Sequence, residues 1–102
     1  MIARCWRGWT EVHHADAYEA FLKTKILPAL QNIPGYRGGY VLRNGSAGEV
    51  EFLVLNVFES MEAVQRFAGA DPAVAVIEPE ARRLLARFDS TARHYEVRAA
   101  TV

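Results

Sequence analysis

The spacing of apolar residues along the chain predicts four strands separated by helical segments. Short stretches rich in β-branched and aromatic residues are typical of strands, because these side chains pack well on a pleated sheet. Such stretches occupy residues 2–10, 36–43, 49–58 and 91–98. The turn residues "NGSAG" lie directly between the second and the third of them, so the sequence predicts a β-hairpin there.

A first helix is predicted between the first two strands. Apolar residues recur at helical spacing from Tyr18 to Ile33. Asp16 and Glu19 have the spacing of a capping box at the start of this helix. Pro28 lies inside it, and proline lacks the N–H that would bond to the preceding turn. We therefore expect a kink or a broken last turn there.

The chain after the hairpin predicts further helices. Ser60 is placed to cap a helix that ends at Gly69. Asp71 and Pro72 can cap and open a short helix, and Pro79 can open another. In this last helix an apolar stripe would face inward, formed by Ala81, Leu84, Leu85 and Phe88.

The order of these elements predicts an α+β fold. Strand, helix, strand, strand, helices and strand make the ferredoxin-like βαββαβ plan, a four-stranded antiparallel sheet with the helices on one face. The chain has 102 residues, of which 51% are hydrophobic and 24% charged, and no segment has the composition of a linker. We expect one globular domain over residues 1–102.

The segment "EFLVLNVF", Glu51 to Phe58, is apolar on both of its faces. Alternate residues of a strand point to opposite sides of the sheet. One side would carry Phe52, Val54, Asn56 and Phe58, and the other Leu53, Leu55 and Val57. The helices can cover only one side, so we expect a second copy of the protein to cover the other in a symmetric homodimer.

Charge and composition narrow the class of partner. The 12 basic and 12 acidic residues give a formal net charge of zero, and no basic stripe favours nucleic acid. No apolar run is long enough to cross a membrane, and charged Arg4 lies where a signal peptide would be apolar. Cys5 is the only cysteine, which excludes an intrachain disulfide and favours a small buried residue over a nucleophile. These features predict a cytoplasmic protein.

Two polar residues are candidates for catalysis. His94 lies in the fourth predicted strand, and an imidazole changes charge near neutral pH, so it can act as a base. Asn56 lies on the helix-covered side of an apolar strand, and a buried amide must find a partner, which a ligand oxygen could supply. The alternative for both is a structural hydrogen bond within the sheet. His13 and His14 precede the first helix. An adjacent pair of histidines without a further Cys, His or fixed carboxylate is weak evidence for a metal site, so no metal is expected.

Aromatic residues are candidates for holding a flat ligand. Trp6, Trp9, Tyr36 and Tyr40 offer surface for stacking, although such residues also serve as core or interface packing. Arg4 and Arg7 could pair with Glu96 across adjacent strands, at a rim or an interface.

Three short motifs stand out along the chain, namely "PGY" at 34–36, "VFESMEAVQRF" at 57–67 and "GADP" at 69–72. Together with the order of elements, they give the chain a resemblance to the antibiotic biosynthesis monooxygenase (ABM) family of dimeric α+β barrels. The resemblance implies a homodimer with a pocket in each subunit, between sheet and helices. In quinone-forming members it implies oxidation without a cofactor, in which an anthrone or hydroquinone is deprotonated and its anion passes an electron to dioxygen.

The chain departs from the family at positions that matter for chemistry. Quinone-forming members often have a tryptophan where this chain has Phe58, which we count among the substrate-binding candidates. In haem-degrading members of the superfamily, an asparagine, a tryptophan and an iron-binding histidine lie near the positions of Cys5, Phe67 and Ile77. The resemblance therefore favours a cofactor-free monooxygenase over a haem degrader. The alternatives on the same scaffold are a non-catalytic ligand-binding or stress-associated dimer, and an isomerase.

Overall fold

A computed structural model describes residues 1–101 of the chain. Its elements in chain order are β1 Ile2–Glu11, α1 Val12–Phe21, a π-helical turn Leu22–Ile26, α2 Leu27–Gln31, β2 Tyr36–Ser46, β3 Glu49–Phe58, α3 Met61–Ala68, α4 Pro79–Leu84, β4 Leu85–Phe88 and β5 Arg93–Glu96.

The strands form one antiparallel sheet in the order β2-β3-β1-β4, with β5 also paired to β1. The edge beside β1 is therefore shared by two short strands. β4 pairs with Gly8 to Thr10, and β5 pairs with Ile2 to Cys5. The helices lie on one face of this sheet. This confirms the predicted α+β, ferredoxin-like architecture. The fourth strand predicted at 91–98 is the shorter β5, and β4 is an additional strand.

The prediction of one helix from Pro79 through Phe88 was wrong. The helix ends at Leu84, and Leu85 already has an extended backbone with φ of −81° and ψ of 133°. Residues 85–88 pair with β1 instead, where the Arg87 guanidinium lies 3.9 Å from the centre of the Trp9 ring. Tertiary pairing with β1 thus overrides the local helical spacing.

The first helix begins earlier than predicted. It starts at Val12, so Asp16 does not cap it, and the side chains of Asp16 and Glu19 instead pair with Arg43 of β2 at 2.8 and 2.9 Å. The predicted break at Pro28 takes the form of the π-helical turn that precedes it.

The short helix predicted to open at Asp71 and Pro72 is also absent from the described chain. Asp71 instead caps a turn, since its side chain accepts a hydrogen bond of 3.3 Å from the backbone N–H of Ala73. Val74 then forms an isolated bridge with Thr91. Ser60 does cap α3 as predicted, accepting a bond of 3.2 Å from the N–H of Ala63.

The core between sheet and helices consists of two clusters. The first lies under α1 and α4, and its buried members are Ala15, Tyr18, Phe21, Leu22, Val50, Phe52, Val54 and Ala81. The second lies under α2 and α3 and contains Leu30, Phe58, Ala63 and Val64. Within the described residues, no helix combines the length and apolarity required to cross a bilayer.

β3 shows the two-sided character predicted for it. Its alternate residues from Val50 to Phe58 are buried beneath the helices. Leu53, Leu55 and Val57 point the other way and are only half-buried. Apolar neighbours on that second side are exposed as well, including Tyr40, Leu42 and Tyr95. We call the side of the sheet that faces away from the helices the open face.

Candidate functional site

A row of polar side chains crosses the helix-covered side of the sheet. Pairing of β1 with β3 sets Arg4 opposite Asn56, and pairing of β1 with β5 sets Arg4 opposite His94. Directly paired residues on one face of a sheet have Cβ atoms about 5 Å apart. We call Asn56, Arg4 and His94 the polar row.

A narrow cavity of about 50 Å³ lies between the polar row and the helices. Its walls are largely apolar, with Arg4, Asn56 and Glu78 as polar members. The complete lining is Arg4, Trp6, Tyr18, Phe21, Leu22, Ile26, Val54, Asn56, Phe67, Val76, Ile77, Glu78 and Ala81. This volume suits a few water molecules. An aromatic ligand therefore requires a wider cavity. The outer wall of the cavity is the segment 76–78 between α3 and α4, in which Val76 and Glu78 are exposed.

Asn56 is only 5% exposed and is held in place by Tyr36. The Tyr36 hydroxyl donates a hydrogen bond of 2.8 Å to Oδ1 of Asn56. Burial raises the pKa of Tyr36, so the hydroxyl keeps the proton that it donates. The carbonyl oxygen of the amide is thus engaged, and its N–H₂ group is the donor available for a ligand oxygen.

Arg4 is the residue of this site that the sequence analysis did not find. It is 6% exposed, and its Nη2 donates to the backbone carbonyls of Pro72 and Val74, both at 3.2 Å. The guanidinium carbon lies 5.5 Å from the centre of the Phe67 ring. Burial lowers the pKa of Arg4. The predicted position of Arg4 at a rim or an interface is wrong, and its alternation with Ile2 and Trp6 is the signal in the sequence that indicates the inward position.

His94 lies beside the cavity but does not line it. Its Nε2 atom is buried and has no hydrogen-bond partner in residues 1–101. Burial lowers the pKa of His94, and the positive charge of Arg4 lowers it further. The imidazole is consequently neutral at neutral pH, with a nitrogen able to take up a proton.

The predicted aromatic candidates separate into three places. Trp6 lines the cavity, and its indole Nε1 donates to the carbonyl oxygen of Asp89 at 2.7 Å. Trp9 and Tyr40 belong to the open face, on the other side of the sheet. Tyr36 reaches the site through Asn56, and Phe58 is fully buried in the second core cluster.

The remaining candidates lie away from the cavity. Cys5 is on the open face, and burial raises the pKa of its thiol. His13 and His14 contact each other edge to face at the exposed start of α1, with ring centres 4.2 Å apart. In the part of the chain that the structure describes, no group of three or more His, Cys, Asp or Glu side chains is arranged to hold a metal ion.

Solved structures share this architecture over the whole chain. A protein described as an antibiotic biosynthesis monooxygenase from Deinococcus radiodurans superposes with a TM-score of 0.72 at 15% identity, covering 100% of this chain and 97% of its own. The haem degrader MhuD from Mycobacterium tuberculosis, with two haems in its active site, gives 0.63 at 20% identity and full coverage of both chains. The monooxygenase ActVA-Orf6 of Streptomyces coelicolor, in complex with nanaomycin D, gives 0.64 at 15% identity, covering 99% of this chain and 90% of its own.

These likenesses establish the fold. No protein-family model matches the chain, and no curated protein sequence matches it. The chain nevertheless has the fold of the antibiotic biosynthesis monooxygenases along its length, which confirms at the level of fold the resemblance that its motifs indicated.

Proposed function

We propose that this protein is a monooxygenase-like enzyme that oxidises an aromatic or polyketide-type small molecule without a metal or an organic cofactor. The observation that carries the proposal is the apolar cavity bordered by the polar row. It combines Trp6 as an aromatic wall, the amide of Asn56 as a donor and a neutral His94 beside it. ActVA-Orf6, which has the same fold, is described as a monooxygenase in complex with nanaomycin D.

The reaction needs little from the protein beyond proton transfer and stabilisation of an anion. A substrate with an acidic CH₂ group gives up a proton, and its anion passes an electron to dioxygen. One oxygen atom ends in the new carbonyl group and the other in water, so that CH₂ and O₂ become C=O and H₂O. We assign the proton transfer to His94 and the orientation of the substrate oxygen to Asn56, while the largely apolar walls limit the contact of the substrate with bulk water.

Uptake of dioxygen by the protein with anthrones, hydroquinones and dihydroxynaphthalenes, without added cofactor, tests this assignment. Asn56→Ala should lower the rate by roughly 10²-fold or more, because it removes a donor preorganised for the substrate anion. His94→Ala should lower it by roughly 10²-fold or more, because it removes the base.

His13→Ala is the control for these variants, since His13 is exposed at the start of α1, outside the cavity lining. It should leave the rate unchanged. Uptake no faster than autoxidation with every compound would refute the oxygenase assignment. Full activity in both the Asn56 and His94 variants would refute the roles given to these residues.

A non-catalytic ligand-binding dimer is the second candidate function. The observations that favour it are the small volume of the cavity and the position of His94 outside its lining. Binding of the same compounds without turnover would support this candidate. An isomerase on the same scaffold would instead form product in the absence of dioxygen.

We further propose that two copies of the chain pack through their open faces. The apolar side chains of this face are continuous across three strands, with Tyr40 and Leu42 on β2, Leu53 and Leu55 on β3, and Cys5 on β1. Tyr40 is 58% exposed and Leu42 45% exposed in the single chain. Burying this surface against its own copy removes the apolar area from water. It also gives Trp9 and Tyr40 a role in assembly.

Leu55→Asp is expected to separate the two copies. It places a carboxylate at the middle of the proposed interface, where burial of an unpaired charge should raise the dissociation constant by roughly 10²-fold or more. Sedimentation velocity over a range of protein concentrations measures the change.

Val12→Asp is the matched control, because Val12 is 61% exposed and lies at the start of α1, outside the sheet. It should leave the assembly as it is, and circular dichroism should show both variants folded. A wild-type chain that sediments as a monomer at all concentrations would refute the dimer, as would a folded Leu55→Asp variant with unchanged assembly.

A further inference from the structure

The cavity wall contains a buried cation that has no anionic partner in the described chain. Arg4 is 94% buried and lines the cavity. The arginines that do form ion pairs lie at the surface, as Arg37, Arg43 and Arg87 show. The ion pairs within residues 1–101 do not include Arg4. A buried guanidinium without a counter-charge is costly, because it has lost the solvation that water gave it.

The hydrogen bonds of Arg4 leave part of the guanidinium unused. Nη2 carries two N–H groups, which the carbonyl oxygens of Pro72 and Val74 occupy. The Nε atom is buried and has no partner in the described residues. An unsatisfied buried donor is itself unfavourable, and a charged donor more so. The free donor and the uncompensated charge therefore occur on the same side chain, in the wall of the cavity.

The groups around Arg4 do not supply the missing charge. His94, directly opposite on β5, is neutral, and Asn56, directly opposite on β3, is an uncharged amide. Glu78 belongs to the cavity lining but is exposed, and it forms no ion pair with Arg4. Phe67 offers only the face of its ring.

We propose that the cavity takes an aromatic small molecule that carries an anionic oxygen, a carboxylate or a phenolate, and that Arg4 binds this group. Asn56 is paired opposite Arg4 and also lines the cavity, and its N–H₂ group, which the hydrogen bond from Tyr36 leaves free, is a second donor for the ligand. Charge-assisted hydrogen bonds are about twice as strong as neutral ones, so the anion should dominate the choice of ligand. This inference names the ligand class for the site of the proposed function, and it concerns binding, whether or not turnover follows.

Arg4 also connects β1 to the segment that leads into the outer wall of the cavity. Its bonds to Pro72 and Val74 hold the chain between α3 and α4 close to the sheet. A purely structural role would therefore affect all ligands alike. A role in binding the anion affects acids and leaves their neutral analogues largely unchanged, and this difference separates the two.

The experiment compares two aromatic acids with their neutral amides. Benzoate and naphthoate are titrated against benzamide and naphthamide at neutral pH by isothermal calorimetry, with wild type, Arg4→Gln and Arg4→Lys. In the wild type the acids should bind roughly 10-fold or more tightly than the amides, as one charge-assisted hydrogen bond implies. The ratio should fall to about one in Arg4→Gln and recover in part in Arg4→Lys, which keeps the charge.

Arg7→Gln is the matched control. Arg7 lies on the same strand but on the open face, with half of its side chain exposed. It should leave the ratio of acid to amide affinity unchanged.

The inference is overturned if acids and amides bind the wild type equally, or if none binds at millimolar concentration. It is also overturned if Arg4→Gln weakens the binding of acids and of amides by the same factor.

If Arg4→Gln fails to fold, thermal unfolding of the wild type with and without each ligand still tests the preference for acids. A ligand that binds the folded state raises the melting temperature, so the acids must raise it more than the amides. If the acids bind tightly but none of the anthrones, hydroquinones and dihydroxynaphthalenes supports dioxygen uptake, only the oxygenase is refuted. If those compounds do support uptake but the acids and the amides bind with equal affinity, only the anion site is refuted.

Discussion

Phe58→Ala should lower the free energy of unfolding by about 3 to 5 kcal/mol, the range typical of a phenylalanine removed from a closed core. The ring is fully buried, with its centre 5.4 Å from that of Tyr36 and 6.4 Å from that of Phe67. Leu30 and Val64 complete the enclosure. Urea unfolding at one fixed protein concentration measures the loss.

Val12→Ala provides the comparison for this variant. Val12 is 61% exposed, and truncation of a surface side chain should change stability by no more than about 0.5 kcal/mol. A loss for Phe58→Ala as small as that of Val12→Ala would show that the second core cluster is not closed around this ring.

Gly39→Ala should destabilise the protein by about 2 kcal/mol or more and weaken ligand binding as well. A Cβ at this position would lie 2.6 Å from the carbonyl oxygen of Leu55 and 2.8 Å from the Tyr36 hydroxyl, and it would also strike Oδ1 of Asn56. The strands must shift or the hydrogen bond between Tyr36 and Asn56 must break. Stability is measured by urea unfolding, and the site by calorimetry with benzoate and naphthoate.

Gly45→Ala is a control on the same strand. A Cβ there meets nothing within 4 Å, so the substitution should be neutral or slightly stabilising. Tyr36→Phe, which removes the hydroxyl but not the ring, separates the loss of the hydrogen bond from the clash with Leu55. Equal stability of Gly39→Ala and Gly45→Ala would contradict the close approach of β2 to β3 at Asn56.

Local signals predicted those parts of the fold that depend on neighbouring residues. The alternation in β3 and the Ser60 cap are such cases, and both were predicted with the correct boundaries. The apolar spacing at residues 85–88 fits a helix and predicts one there. Their pairing with β1, some eighty residues earlier in the chain, decides otherwise, and no local pattern reports it.

The site shows the same division between local and distant information. The inward direction of Asn56 followed from the alternation in β3 and was predicted. The polar row depends on the register of three strands, β3, β1 and β5, which places Arg4 between Asn56 and His94. A sequence-based prediction treats an arginine in a strand as solvent-facing, because buried charges are rare. The placement of Trp9 and Tyr40 on the open face depends on the same register.

The π-helical turn Leu22–Ile26 bears on how this chain compares with its relatives. A π-helical turn closes its hydrogen bond over one residue more than an α-helical turn does. The helix that follows the turn is therefore rotated about its axis, relative to its position in an uninterrupted α-helix. Leu22 and Ile26, at its two ends, both line the cavity. A relative with a regular helix would be one residue shorter between β1 and β2. Aligning the two chains without a gap would then shift every residue on one side of the turn by about 100° around the helix axis. Cavity residues on α1 or α2 would be matched to solvent-facing ones. At identities of 15 to 20%, correspondence in this region has to be taken from superposed backbones.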